Sequence, residues 1–324
     1  MDCYLSVDSG GTKTGFVLTD ASGVALARLN LGSRTYPVDG LDGMMELFRQ
    51  GVDELLRTAG ASPFDIRAAA WGVPFYGEYP EIEQRLPGLL ADFLPGTRHA
   101  VCNDVELGMC GSLALDPGIH IVAGTGSIAM GRGPDGATVR AGGGHEDFSD
   151  EGSGYWLSLL TLNCFTKQSD GRLPRGALYD IIREEFKLDS DFDIQAYYEQ
   201  NLKGSRDRVA RVQFLLERAT LAGDRAAAAL YERAAGEFMA MAAAVKQNLV
   251  FGGGQIKLSY SGGVFKAGEL ILGPLRVLAG QHNMTLTPPV LPPLSGGILL
   301  AARTAGIAGV EGMIETLVEQ ENKK

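Results

Sequence analysis

Short apolar runs alternate with glycine-rich polar turns along the first part of the chain. Tyr4–Val7 and Gly15–Leu18 flank the polar segment Asp8–Thr14, a pattern that predicts a β-hairpin. A tight turn and another apolar run at 24–27 follow, so three consecutive strands are expected. Apolar residues then recur with helical spacing over 39–59, and the next residue is a glycine, a common helix end.

Strand and helix patterns continue to alternate up to about residue 116. Buried-strand patterns at 66–74 and 99–104 each lead into a helix pattern, at 86–93 and 105–115. Strands that alternate with helices after an opening hairpin predict an α/β domain with a mixed sheet. We therefore expect an N-terminal domain over 1–116.

A second hairpin pattern opens the other half of the chain. The apolar runs 119–123 and 128–131 flank Gly124–Ser127, which lacks an acidic residue. Two hairpins of the same construction suggest a duplicated domain that holds a phosphate chain between its two turns. We expect a C-terminal domain over 117–307 with a helical insertion at about 155–250, and a last helix, 308–324, that packs back on the first domain.

The first turn combines a carboxylate with several groups that can donate hydrogen bonds to phosphate oxygens. Asp8 lies at the mouth of a predicted strand, and Gly10, Gly11, Thr12 and Lys13 follow it, which suggests a phosphate and metal site. A nucleotide-binding P-loop is excluded because it needs glycine before the lysine and a helix afterwards. The second turn is likewise not followed by the helix of a dinucleotide fingerprint. An ordinary hairpin turn is the alternative at this point.

Two further segments carry polar groups at expected strand or loop ends. Asp104 lies at a strand-to-helix junction, where ligand-facing side chains collect in α/β sheets. It could equally cap the helix, since aspartate is a preferred capping residue. The segment 140–156 is dense in glycine, which lets the backbone approach a ligand closely, and in carboxylates, which can accept hydrogen bonds from sugar hydroxyls or hold a metal-bound water. The same composition describes a solvated loop.

Composition and charge narrow the classes of partner. The net charge of −10 and a pI near 5.0 argue against a nucleic-acid partner, which requires clustered Lys and Arg. No apolar run approaches the roughly 20 residues of a membrane span, so we expect a soluble, cytoplasmic protein without a membrane partner. The four cysteines are scattered, which indicates neither a zinc site nor a disulfide framework.

Taken in order, the motifs resemble those of a known superfamily. The chain carries Asp8–Thr14, Asn103–Asp104, Gly124–Ser127, Asp150–Trp156 and Ser261–Phe265. This order is similar to that of the sugar-kinase, heat-shock-protein and actin superfamily, and within it to the N-acetylglucosamine kinases grouped with the BadF/BadG/BcrA/BcrD ATPases. The resemblance implies an α/β fold with two RNase H-like (actin-like ATPase) domains around a central cleft.

The resemblance also implies roles for individual residues. ATP would be bound by Gly10, Gly11, Thr12, Lys13, Gly124, Thr125, Gly126, Ser127, Gly262 and Gly263, with the last two lining the adenosine. Asp8 would organise Mg²⁺ through water, and Asp104 would be the catalytic base that accepts the proton of the sugar hydroxyl. The sugar would be bound by Thr35, Asn103, Asp104, Gly142, Gly143, Gly144 and Asp150.

The implied activity is ATP-dependent phosphorylation of a hydroxyl on an amino sugar, with N-acetylglucosamine foremost and glucosamine or another hexosamine as the alternative. A homodimer is expected. Gly143 replaces a tryptophan of the animal enzymes, one extra residue precedes Asp150, and Thr35 stands where an amide is expected, so the departures fall in the sugar site. Functions of another class are a BadF-type ATPase activator with an iron–sulfur cluster, or an ATPase switch without a sugar substrate.

Overall fold

The computed structural model describes residues 1–323, which form two compact units. Unit 1 consists of Met1–Asp116 and the C-terminal segment from Pro288, and unit 2 is Pro117–Thr287. The predicted second domain, 117–307, is therefore too long at its C-terminal end. The chain rejoins unit 1 at Pro288 and not at residue 308.

Residues 1–323 form ten strands and twelve α-helices. The strands are β1 Cys3–Ser9, β2 Lys13–Asp20, β3 Ala25–Gly32, β4 Ile66–Gly72, β5 Arg98–Cys102, β6 Gly118–Ala123, β7 Ser127–Arg132, β8 Thr138–Gly142, β9 Ile256–Ser261 and β10 Met284–Leu286. The helices are α1 Tyr36–Ala59, α2 Pro80–Phe93, α3 Asp104–Ser112, α4 Gly154–Ser169, α5 Ala177–Phe186, α6 Asp193–Tyr197, α7 Arg206–Ala210, α8 Gln213–Leu221, α9 Arg225–Gln247, α10 Glu269–Gln281, α11 Pro293–Thr304 and α12 Glu311–Glu321. Short 3₁₀ or π turns occur at Pro63–Asp65, Tyr198–Leu202 and Gly263–Ala267.

The sheets of the two units share one topology. Unit 1 has the order β3-β2-β1-β4-β5, in which β1, β2 and β3 are antiparallel while β1, β4 and β5 are parallel. Unit 2 has the order β8-β7-β6-β9-β10 with the same directions. The prediction of two α/β domains, each opened by a hairpin, is confirmed.

The strand register of unit 1 brings three chain segments to one edge of the sheet. Asp8 of β1 is paired with Gly15 of β2 and with Gly72 of β4, and Gly72 is paired with Cys102 of β5. Parallel strands end at the same edge, so the residues that follow Cys102 lie beside Asp8. Helix α1 packs on this sheet and buries its apolar residues against it, including Met44, Phe48 and Val52.

Close packing of α11 on unit 1 explains why the chain rejoins this unit at Pro288, before the predicted boundary. A β-carbon at Gly297 would lie 2.0 Å from the Ser6 hydroxyl of β1, and one at Gly296 would lie 2.2 Å from the Gly111 nitrogen of α3. The backbone of α11 can approach the sheet and α3 only because these two positions lack side chains. The helix therefore belongs to unit 1.

Unit 2 contains one strand that the sequence pattern did not predict. We expected Gly142 in a loop, but it ends the edge strand β8, paired with Ile128 of β7. Helices α4 to α9 lie between β8 and β9, and the largely buried α9 packs on β6, β7 and β8. Within residues 1–323, no helix combines the length and the apolar character that crossing a bilayer would require.

Candidate active site

Asp104 lies close enough to Asp8 in unit 1 for its charge to affect the pKa of Asp8. Asp8 is half-buried at the end of β1. Burial raises its pKa to about 7, the Asp104 charge adds to that rise, and Lys13 opposes it. Proximity of these two carboxyl groups follows from the parallel register of β1, β4 and β5. The sequence-predicted metal residue and the sequence-predicted base therefore share one site.

Asp104 is the first residue of α3, while Asn103 is its N-cap. The Asn103 side chain accepts a hydrogen bond from the Val105 amide at 3.1 Å, so the capping role considered for Asp104 belongs chiefly to its neighbour. Asp104 Oδ1 also accepts from that amide, at 3.0 Å. Burial raises the pKa of Asp104 to about 6, against its bonds to backbone N–H groups, and the Glu78 charge adds to the rise. A carboxylate of this kind is ionised at neutral pH yet able to accept a proton.

The first turn, Gly10–Lys13, borders a cavity of unit 1. The cavity measures about 370 Å³, and its lining includes Asp8, Gly10, Gly11, Thr12, Lys13, Asn30 and Leu294. Gly10 donates to the Lys13 carbonyl at 3.0 Å, and the Ser33 hydroxyl donates to the Gly10 carbonyl at 2.5 Å. Thr12 is exposed, and its hydroxyl makes no hydrogen bond within residues 1–323. The turn is held by these two hydrogen bonds, while the Thr12 hydroxyl is exposed.

Of the unit 1 residues predicted to bind the sugar, Asn103 lies at this site, and Thr35 lies at the start of α1. Asn103 adjoins Asp104, and its amide group donates to the Tyr76 carbonyl at 3.1 Å. Thr35 precedes α1, where its backbone amide donates to Asp39 at 2.8 Å and its hydroxyl does not cap the described helix. The neighbouring Tyr36 ring lies 5.2 Å from the ring of Tyr79. Aromatic side chains thus accompany Thr35, a feature that sequence reasoning did not use.

The second turn, Gly124–Ser127, is bonded to carboxylates of its own unit. The Ser127 amide donates to Asp150 Oδ1 at 3.1 Å, and the Thr125 hydroxyl donates to Asp207 at 3.2 Å. Asp150 is buried, with a left-handed φ of 63°, and its second oxygen accepts from Arg206. Asp150 was predicted to bind sugar; the structure brings it to the second turn.

Sequence reasoning missed Arg206 and Asp207. Both lie in α7, within the stretch that was interpreted as a helical insertion without chemistry. They are separated from their partners Asp150 and Thr125 by 56 and 82 positions, respectively. No local motif marks them, so only the packing of α7 beside the turn could reveal their role.

The remaining predicted glycines of unit 2 have different surroundings. Gly142 and Gly143 have φ values of 75° and 70°, and a β-carbon at Gly143 would lie 3.0 Å from Ile128. The Gly144 amide donates to the Ser149 hydroxyl at 3.1 Å. Gly262, with a φ of 109°, approaches Ala123 so closely that a β-carbon would lie 2.3 Å from its carbonyl oxygen, whereas nothing lies within 4 Å of a β-carbon at Gly263. The positive φ and the close approach to Ala123 together account for the glycine at 262.

Metal-ligating residues are sparse in the part of the chain that the structure describes. Among residues 1–323, no three His, Cys, Asp or Glu side chains come together as a metal-binding group. The four cysteines, Cys3, Cys102, Cys110 and Cys164, are buried free thiols. A cation at Asp8 would therefore draw most of its ligands from water and from a bound phosphate, as Mg²⁺ does.

Comparison with known proteins gives a family and a fold. Residues 5–272 match the BadF/BadG/BcrA/BcrD ATPase family. A Clostridium acetobutylicum protein named N-acetylmuramic acid/N-acetylglucosamine kinase is 24% identical over 265 residues, which is 82% of this chain and 86% of that protein.

Two solved structures show the same architecture. A Chromobacterium violaceum protein, named as a candidate N-acetylglucosamine kinase, aligns with a TM-score of 0.70 and 23% identity over 93% of this chain and 99% of that one. A ROK family glucokinase from Streptomyces griseus, solved with glucose and AMPPNP, aligns with a TM-score of 0.55 and 16% identity over 93% and 99% of the two chains. The predicted actin-like ATPase fold is confirmed.

Proposed function

The chain belongs to the BadF/BadG/BcrA/BcrD ATPase family, and from that premise we propose that it is an ATP-dependent sugar kinase. It transfers a phosphoryl group to a hydroxyl of an amino sugar, with N-acetylglucosamine as the first candidate and glucosamine or another hexosamine as the second. The observation that carries this proposal is the half-buried Asp104 beside Asp8 at the carboxyl edge of the unit 1 sheet.

Asp104 acts as the base. A sugar hydroxyl that attacks a phosphoryl group must lose its proton, and a carboxylate within hydrogen-bond reach can accept it. The pKa of Asp104, raised to about 6, keeps the group ionised at neutral pH while making it more basic than an exposed aspartate. The backbone of α3 fixes its position, because Asp104 follows the N-cap Asn103 directly.

The two turns bind ATP. In unit 1, Gly10, Gly11, Thr12 and Lys13 offer an exposed hydroxyl, an ammonium group and backbone amides beside the cavity. In unit 2, Gly124, Thr125, Gly126 and Ser127 form a turn of the same construction, and Gly262 and Gly263 line the adenosine. The support for a nucleotide is the family, together with the AMPPNP bound by the glucokinase of the same fold.

Asp8 holds Mg²⁺ through water. The fit is supported by the partial exposure of Asp8 on the cavity and by its pKa, which is raised by burial and by the Asp104 charge and which a bound cation would lower. When bound, Mg²⁺ neutralises charge on the phosphates during transfer. The protein itself contributes the orientation of the turn, the Lys13 charge near Asp8, and the proton acceptor Asp104.

The sugar lies near Asn103 and Asp104, with Thr35, Gly142, Gly143, Gly144 and Asp150 as further proposed ligands. Only the first two have support from their place beside Asp8. Asp150 is buried and each of its oxygens already accepts a hydrogen bond within unit 2, so only its remaining lone pairs are left for a sugar hydroxyl. An electron-transferring activator, which needs accessible cysteines for its cluster, finds no support in four buried thiols.

A panel of sugars tests the substrate class. ADP release is measured with ATP and Mg²⁺ in the presence of N-acetylglucosamine, glucosamine, N-acetylmuramic acid and glucose. We expect release that depends on an amino sugar and has its highest kcat/KM with N-acetylglucosamine. ADP release at one rate with every sugar and without any sugar would contradict the proposal. The expected homodimer and cytoplasmic location stay predictions.

A further inference from the structure

Two hydrogen-bond donors of the second turn are bonded to carboxylate side chains. The Thr125 hydroxyl donates to Asp207, and the Ser127 amide donates to the buried Asp150. A carboxylate oxygen occupies the position that a phosphate oxygen takes when it accepts the same bonds. If Thr125 binds a nucleotide, Asp207 must give up its place, because two anions cannot share one hydroxyl donor.

The turn itself has no cation, although a triphosphate requires one. Gly124–Ser127 contains neither Lys nor Arg, whereas the first turn carries Lys13. The structure brings Arg206 to the second turn: a β-carbon at Gly126 would lie 2.6 Å from its guanidinium and 2.8 Å from Asp150 Oδ2. The absence of a side chain at Gly126 thus leaves room for the arginine against the turn.

Arg206 retains donors for a further anion. Its guanidinium has five N–H groups. The Nη2 atom donates to Asp150 Oδ2, and the Nη1 atom lies 3.7 Å from Glu146 Oε2. The side chain is 41% exposed, whereas that of Asp150 is 6% exposed. Asp150 therefore fixes the arginine from the buried side while its outer edge faces solvent beside Thr125 and Gly126.

We propose that Arg206 is a phosphate ligand for the nucleotide and that Asp207 is its built-in competitor. This inference rests on the proposed ATP site. Nucleotide binding replaces the Thr125–Asp207 bond with a Thr125–phosphate bond, and Arg206 donates to the same phosphate while it stays bonded to Asp150. Asp150 is then a positioning residue for Arg206 and the turn. The cation missing from the second turn is supplied by α7 of the helical insertion.

Direct binding of ATP and ADP, measured by titration calorimetry on the full chain, tests the inference. Arg206→Ala should weaken ATP binding by about tenfold or more, because a hydrogen bond to a charged group is worth roughly 1.5–3 kcal/mol. Arg206→Lys should recover part of this loss. Asp207→Asn should tighten binding, by at most about fivefold, as expected for a partly exposed charge. The matched control is Arg208→Ala, an exposed arginine on the same helix, which should bind ATP like the wild type.

The outcomes separate this inference from the proposed function. If Arg206 only neutralises Asp150, Arg206→Ala would change the melting temperature or the sugar KM while ATP binding stayed unchanged, which would overturn the inference. Asp207→Asn, which leaves Asp150 paired, decides the matter if Arg206→Ala does not fold: unchanged or weaker ATP binding overturns it. A wild-type chain that binds no ATP would overturn the proposed function as well.

Discussion

The two turns have the same place in the same topology, yet they differ in what their donors contact. The first turn, Gly10–Lys13, has an exposed Thr12 and lies beside two carboxyl groups whose pKa values are raised. In the second turn, Gly124–Ser127, the Ser127 amide and the Thr125 hydroxyl are bonded to Asp150 and Asp207, and the turn lies against the ion pair of the buried Asp150 with the partly exposed Arg206. The two units share a topology, while their turns differ in length and in chemical surroundings.

This difference indicates a division of labour. Unit 1 carries the groups that can accept a proton and hold a cation, and the Thr12 hydroxyl of its turn is exposed. Unit 2 carries a turn whose bonds must be exchanged before a phosphate can bind. The predictions that follow separate the two roles, because each alters one turn or its neighbours and leaves the other intact.

The largest effect is expected from Asp104→Asn. The substitution removes the proton acceptor with little change in shape, so kcat should fall by roughly 10²–10⁴-fold. ATP binding measured by calorimetry should stay near that of the wild type. Asp92→Asn, an exposed carboxylate on α2, serves as the control and should keep full activity. Turnover near normal in the Asp104 variant would refute the assignment of chemistry to unit 1.

The dependence of stability on pH should include a contribution from Asp8 of unit 1. The pKa of Asp8 is about 7 in the folded state against 3.8 as its ordinary value, so between these values the folded protein binds more protons than the unfolded one. The contribution of Asp8 to the free energy of unfolding should therefore fall as the pH rises from about 4 to 7, while the buried His120 of unit 2, whose pKa is lowered to about 3, contributes a rise. Denaturation across this range should lack the Asp8 contribution in Asp8→Asn, whereas Asp92→Asn should retain the slope. An unchanged slope in Asp8→Asn would contradict the raised pKa.

A paired glycine substitution compares the two turns themselves. Gly126→Ala places a methyl group against Asp150 and Arg206, which should destabilise the protein by about 1–3 kcal/mol. Gly11→Ala meets nothing within 4 Å and should leave the melting temperature unchanged. Thermal unfolding of both variants gives the answer. Equal losses in the two variants would mean that the second turn is no more tightly enclosed than the first.

The smallest effect is expected from Glu78→Gln. The Glu78 charge contributes to the raised pKa of Asp104, so its removal should lower that pKa. The acid limb of the kcat/KM profile should then move to lower pH, since Asp104 stays ionised further into the acid range. Glu83→Gln, another exposed carboxylate nearby in the chain, should leave the limb in place. A shift to higher pH in the Glu78 variant would contradict the assignment of that limb to Asp104.

Local patterns made much of the fold predictable. Both turns interrupt short apolar runs, and that contrast identifies a hairpin without knowledge of its neighbours. The proximity of Asp8 and Asp104 could also be predicted, because each lies at the end of a predicted buried strand of one α/β domain. These features depend on residues that are close in sequence.

Features that depend on packing were not predictable. β8 has Arg140 and exposed small residues where a strand usually has apolar ones, so its sequence resembles a loop. The docking of α11 on unit 1 depends on contacts of Gly296 and Gly297 with distant segments. Arg206 and Asp207 reach the second turn from far along the chain, where no motif marks them. In each case the decisive partner lies in another part of the chain.

Identification of the reaction product tests the central claim most directly. The purified chain is incubated with ATP, Mg²⁺ and N-acetylglucosamine, and the products are identified by ³¹P NMR and mass spectrometry. The account predicts one sugar phosphate for each ADP formed, and loss of both in Asp104→Asn. ADP accompanied by an equal amount of inorganic phosphate, with no phosphorylated product from N-acetylglucosamine, glucosamine or the other sugars of the panel, would contradict it.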